Sequence, residues 1–197
     1  MTDALGRTWQ GAALHPRSFF GSIPANAALG PPIVYYMLIG VAAEGAQLFW
    51  AMVLHSTVGT TSNVTSLLGA AGAMAPVIDF LLSPLLLLFS LFMAAGVTHL
   101  LLLVLGAATH GYAFTVVVFA FAYSPQLLEV IPFVGQVAGF VWMVGVAIIG
   151  LAAGHGVSTP RAAAAVIIPV AIALLFIALA AMVGAAGGLL TGAGGFF

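Results

Sequence analysis

Residues 98–161 read THLLLLVLGAATHGYAFTVVVFAFAYSPQLLEVIPFVGQVAGFVWMVGVAIIGLAAGHGVSTPR, and the alternation inside this stretch decides the fold. Three apolar blocks are separated by two kinds of punctuation. His110-Gly111-Tyr112 and His155-Gly156, followed by Ser158-Thr159-Pro160-Arg161, mark one set of ends, while Ser124-Pro125-Gln126 and Ile131-Pro132 mark the other. Gly and Pro are the residues that stop a helix and turn the chain. Blocks approaching the roughly 20 apolar residues that cross a bilayer core of about 30 Å therefore read as consecutive membrane crossings.

Composition agrees with this from the other direction. The chain has 197 residues, of which 63% are hydrophobic and 4% charged, and its mean hydropathy is +1.27. That is too little polar surface to cover a soluble domain of this size. The expected fold is all-α, a polytopic integral membrane protein. Five spans are expected at residues 33–54, 77–105, 112–128, 133–153 and 162–183. Residues 1–29 form an N-terminal segment in which Trp9, Leu14, Phe19 and Phe20 are interspersed with Arg7, His15 and Arg17. Such a mixture suits an amphipathic segment in the membrane interface and not a cleavable signal peptide. Residues 30–190 form the membrane domain, and 191–197 belong to a Gly-rich end expected to fray. A polar loop, residues 55–76, joins the first two spans.

Three arginines, no lysine and four acids leave a net charge of −1, so no basic stripe exists to neutralise a nucleic-acid backbone. The absence of cysteine excludes disulfides and thiolate metal sites. With five spans Arg7, Arg17 and Arg161 all fall on one side. The positive-inside rule then puts the N-terminus in the cytoplasm and the C-terminus outside.

The order of the markers resembles the Yip family, membrane proteins named for binding Ypt/Rab GTPases in eukaryotes and also found in bacteria. The matching residues are His99 with Gly106, Gly111-Tyr112, Ala122-Tyr123-Ser124-Pro125, Ile131-Pro132-Phe133-Val134-Gly135, Trp142, Ile149-Gly150, His155-Gly156 and Arg161-Ala162. Pro16 to Phe20, PRSFF, is similar to bacterial members and implies a bacterial inner-membrane setting. The resemblance implies a non-enzymatic role in membrane organisation and trafficking through lipids or protein partners. The eukaryotic Asp-Leu-Tyr-Gly-Pro signature is reduced here to Gly30-Pro31, so a Rab-like GTPase is an expected partner only in a eukaryotic setting.

The few polar residues inside the spans are the remaining candidates. Glu44 lies mid-span, where a charge is costly, and Gln47 and His55 share its helix face. With Asp79 they form an intramembrane polar set. It reads either as a structural lock, with Glu44 protonated and hydrogen-bonded to a neighbouring helix, or as the polar path of a small transporter or channel. Glu129, between two prolines, reads as solvated. Five spans also gather His99, His110, His155 and Arg161 at one end. His99 could bond across helices while the loop histidines stay solvated; alternatively the set could take a lipid headgroup through Arg161. A metal is not expected, because no acid lies at that end to complete its ligands. Gly135 with Gly139 and Gly150 with Gly154 are each four residues apart. That spacing lets helices approach closely, either within one chain or at a homodimer seam. No catalytic motif is present in its required context, so neither an enzyme nor a cofactor is expected.

Overall fold

The computed structural model describes residues 2–58 and 70–193, with side chains over 3–54 and 74–184. Every regular element among them is helical. The elements are α1 (Thr2–Leu14), α2 (Pro16–Gly21), α3 (Gly30–Val58), α4 (Ala70–Val104), α5 (Tyr112–Ala122), a 3-10 segment (Ser124–Val130), α6 (Val134–His155) and α7 (Thr159–Ala193). Five stretches are long and apolar enough to cross a membrane: Gly30–Leu54, Met74–Val104, Tyr112–Val130, Val134–His155 and Thr159–Gly184. The protein is thus an all-α, multi-pass integral membrane protein. Helix α7 runs to Ala193; the rest of the end expected to fray, residues 194–197, and the loop centre at 59–69 lie outside the described residues.

Local chemistry explains where each helix begins and ends. Pro31 and Pro32 open α3, where their missing N–H groups would have had no helical partner. Inside α4, Pro84 cannot donate to the carbonyl four residues back. Ser83 Oγ donates to that carbonyl instead, Phe80 O, at 2.9 Å, and the helix runs on through Pro84. Gly106 and Gly156 adopt left-handed backbone, φ +61° and +63°, and stop α4 and α6. Each is followed by an amide that reaches five residues back, Ala107 N to Leu102 O at 2.7 Å and Val157 N to Ala152 O at 3.0 Å. Gly111, by contrast, has φ −67°, a conformation open to any residue.

The third crossing is not the single α-helix expected over 112–128. Helix α5 has 11 residues, about 16 Å, too short to cross alone. At Pro125 the chain tightens into a seven-residue 3-10 segment, which adds about 14 Å at about 2.0 Å per residue. Together the two pieces match the hydrocarbon core. The hairpin into α6 is then closed at Phe133, whose φ of 63° and ψ of −64° accompany a 2.7 Å bond from Val134 N to Pro132 O. This is a γ-turn of the strained kind.

Two cores result. The smaller lies between α3, α4 and α5 around Tyr36, Leu87, Leu91, Ala95, Val116 and Ala120. The larger gathers Phe20, Leu102, Phe114, Val118, Val146, Leu151 and Ala162 from α2, α4, α5, α6 and α7. Helix α7 joins it through its first turns, where Ala162, Ala165 and Val166 are buried; from Ile167 to Val183 its large apolar side chains, Val170 apart, are exposed.

The N-terminal segment folds as α1 and α2 and docks on the bundle. Trp9 Nε1 donates to Ser124 O at 2.9 Å, Trp142 Nε1 donates to Ala13 O at 3.1 Å, and Phe20 is fully buried. Its ring fills the space that Gly150 leaves, since a Cβ there would lie 2.9 Å from Phe20 Cδ2 and from Val118 Cγ1. A Gly154 Cβ would meet Phe114 Cε1 at 2.5 Å. On the opposite half of α6 a Gly135 Cβ would overlap Leu128 O, and a Gly139 Cβ would lie 2.9 Å from Gln126 Oε1. All four glycines therefore face partners within their own chain.

Candidate functional site

The ends of α4, α5 and α6 marked by His99, His110 and His155 come together around two threonines. His155 is not in a solvated loop. It ends α6 and is 2% exposed. The backbone N–H of His110 donates to His155 Nδ1 at 3.2 Å. That nitrogen therefore carries a lone pair, and the neutral ring holds its proton on Nε2. Nε2 lies 3.3 Å from Thr115 Oγ1 and donates to it. Thr115 Oγ1 lies in turn 2.9 Å from His99 Nδ1, which gives His99 its interhelical bond. On the other side Thr109 Oγ1 donates to His155 O at 2.5 Å. Its oxygen then accepts from His110 Nδ1 at 3.0 Å.

The rings stack as well as bond. His155 meets His110 at a centroid distance of 5.5 Å and Phe114 at 5.3 Å, both edge to face. The result is a continuous polar chain across three helices, closed by the left-handed Gly156 directly after His155. Every nitrogen of His155 is engaged by the protein, and among the described residues no group of three His, Asp or Glu side chains is placed to hold a metal ion. Arg161 is separate from this chain. It sits exposed in the first turn of α7, where no side-chain partner within the described residues ties it down.

The second polar set occupies the opposite half of the bundle. Glu44 and Gln47 on α3 and Asp79 on α4 line one open cavity with Ala51, Pro76 and Phe80. Glu44 itself makes no hydrogen bond with the described residues. The bond between elements is made by Gln47, whose Nε2 donates to Glu129 Oε2 at 3.2 Å. Glu129 is therefore held rather than merely solvated: its other oxygen accepts from Gln126 Nε2 at 2.7 Å. Asp79 is not at a helix start either, because α4 begins at Ala70. The side chain of His55 lies outside the described residues, and with it any meeting of His55 and Asp79.

Several residues that build these sets were not singled out from the sequence. Thr109 and Thr115 carry the histidine chain, Gln126 holds Glu129, which the sequence reading left solvated, in the opposite lock, and Tyr35 donates to Ser124 Oγ at 2.7 Å because Ser124 itself donates to Phe121 O. Thr115 did leave a signal, as the one aliphatic hydroxyl in the helix YAFTVVVFAFA, set among apolar side chains.

A bundle of five membrane-spanning helices with two internal polar locks and a docked N-terminal helix pair defines a multi-pass membrane protein. The chain belongs to the Yip family: the family model for the Yip1 domain matches residues 11–182, which takes in α2, four spans whole, the fifth to within two residues of its end, and both polar sets. Members of this family are generally not enzymes. No curated protein and no solved structure matches the chain.

Proposed function

We propose that the protein works without chemistry of its own, organising membrane by holding anionic lipid headgroups, and through them or directly a second membrane protein, at its histidine end. The observation that carries this reading is the placement of Arg161. It is exposed in the first turn of the 35-residue helix α7, where helix N–H groups and the helix dipole favour an anion. A guanidinium offers a phosphate paired charged hydrogen bonds. The adjoining histidine chain braces α4, α5 and α6 and so fixes the surface on which a headgroup rests. In this reading Arg17 on α2 and Arg161 on α7 mark the cytoplasmic side of a bacterial inner membrane, with the C-terminus outside.

The test is lipid retention. Protein purified in mild detergent should carry anionic phospholipid in excess over its share of the source membrane, and Arg161→Ala should remove that excess while Arg161→Lys keeps part of it. Equal anionic content in wild type and Arg161→Ala overturns the assignment. Metal analysis of chelator-free protein is expected to find no stoichiometric ion; an ion lost on His99→Ala or His155→Ala would replace the lipid reading with a metal site.

A further inference from the structure

The histidine chain has a direction, and it ends on the outer side of α4. Its first link cannot be reversed, because the backbone N–H of His110 donates to His155 Nδ1 and an amide nitrogen accepts nothing in return. His155 therefore donates from Nε2 to Thr115 Oγ1. The hydroxyl proton of Thr115 then has one acceptor among the described residues, Nδ1 of His99, 2.9 Å away. A neutral His99 accordingly keeps its own proton on Nε2. That N–H meets no partner among the described residues. It is open to the outside, since the one buried side-chain polar atom without a partner among them is Gln126 Oε1.

Outside it lies an apolar groove. Phe89, Met93, Gly96 and Leu100 form a row along α4 at spacings of four, three and four, within about 60° of one another, and His99 and Tyr112 complete the lining. Gly96 leaves a notch between the exposed side chains of Met93 and Leu100. Tyr112 forms one wall: its ring lies 3.9 Å from where a Gly96 Cβ would be, and its hydroxyl is held by donating to Phe92 O at 2.8 Å. The unpaired donor of the groove is thus His99 Nε2–H. A bare N–H facing hydrocarbon is unfavourable until an acceptor meets it.

Depth identifies the acceptor. The second span has 31 residues, about 46 Å, the thickness of a whole bilayer whose hydrocarbon core takes about 30 Å. The core therefore begins roughly 8 Å inside each end. His99 precedes Val104 by five residues, about 8 Å, and so lies level with that boundary. Phe89 is ten residues farther in, about 15 Å, at the midplane. The groove has the length of one leaflet's hydrocarbon, with its donor where the glycerol esters join headgroup to tails. A phosphate lies too far out and an alkyl tail carries no acceptor, so the ester carbonyl is the lipid group that fits.

We propose that this groove of α4 and Tyr112 seats one acyl chain of a glycerophospholipid, the tail lying over Gly96 and its ester carbonyl accepting from His99 Nε2–H. The seat reads the ester whatever the headgroup. It does not rest on Arg161, which is on another helix, so either can fail alone.

Delipidated full-length protein in detergent micelles is given dioleoyl phosphatidylcholine or its diether counterpart, which keeps the headgroup and tails and lacks both carbonyls, and bound lipid is counted by native mass spectrometry. The diester should be retained several-fold better than the diether. Gly96→Leu, which fills the notch, should bring diester retention down to the diether level. A phosphatidylcholine with a diazirine midway along one tail should label α4 near Met93. Equal retention of diester and diether by wild type overturns the proposal without recourse to any variant, and so does labelling that spares α4. An apolar quinone co-purifying with wild type and lost in Gly96→Leu, or disulfide crosslinking of Val97→Cys between two copies, gives the groove another occupant and also overturns it.

Discussion

At residue scale the histidines and the threonines between them have unequal visibility. His99, His110 and His155 stand out in an apolar sequence, and a five-span topology alone brings them to one end. The hydroxyls that join them do not stand out, since Thr is at home in apolar helices and its partner depends on how the helices rotate. Thr115→Val keeps the shape and removes two bonds. At about 0.6 kcal/mol for a typical intramembrane hydrogen bond, and up to about 1.7, it should cost about 1–2 kcal/mol in a denaturant titration in micelles, and Thr115→Ser should restore most of that. Gly135→Ala should be far worse, because its methyl would overlap a backbone carbonyl of the 3-10 segment that has no rotamer to move away. Loss of folded protein on size-exclusion chromatography is the expected outcome. Glu44 shows what sequence reading overvalues. A mid-span carboxyl looked like the lock, yet Gln47 makes the bond, its direction around α3 being fixed by where Glu129 lies. Glu44→Gln should leave thermal stability within about 0.5 kcal/mol, the range of substitutions that break no specific contact, and Glu44→Lys should lower it.

At element scale the span ends were legible because Gly, Pro and His punctuate them, and the internal geometry of the third span was not. Pro125 announces a helix stop, but whether the chain then leaves the membrane or tightens into 3-10 depends on the surfaces it meets on α3 and α6. Those surfaces include the gap at Gly135 and Gly139. The strained turn at Phe133 follows from that packing, since seven 3-10 residues must connect to α6 with almost no loop. Phe133→Gly removes the left-handed penalty of roughly 1–3 kcal/mol at the cost of one exposed aromatic. Its melting temperature in detergent should therefore be equal to or above that of wild type, and a clear drop would mean that the ring itself contributes to stability.

For the whole molecule, the class was readable from composition, and the fold from the order of the apolar blocks. The docking of α1 and α2 was not, because nothing in PRSFF or the preceding helix tells which of five spans has a gap shaped for Phe20. Orientation can be tested on the cysteine-free chain with single substitutions. Ser158→Cys should react with an impermeant maleimide from the cytoplasm only, and Ile131→Cys, at the exposed hairpin of the opposite end, from outside only. The reverse pattern would invert the arginine-based placement.

The seat of Phe20 also bears on how the protein is made. The bond from Trp142 to Ala13 joins residues 129 apart in the chain, and the glycines that receive Phe20 come later still. The N-terminal pair therefore leaves the ribosome without its binding surface. At about 5–20 residues per second, roughly 6 to 26 s of synthesis separates Ala13 from Trp142 of the fourth span. During that interval Phe19, Phe20 and Trp9 need another apolar host, and the nearest are the lipid surface and the insertion machinery.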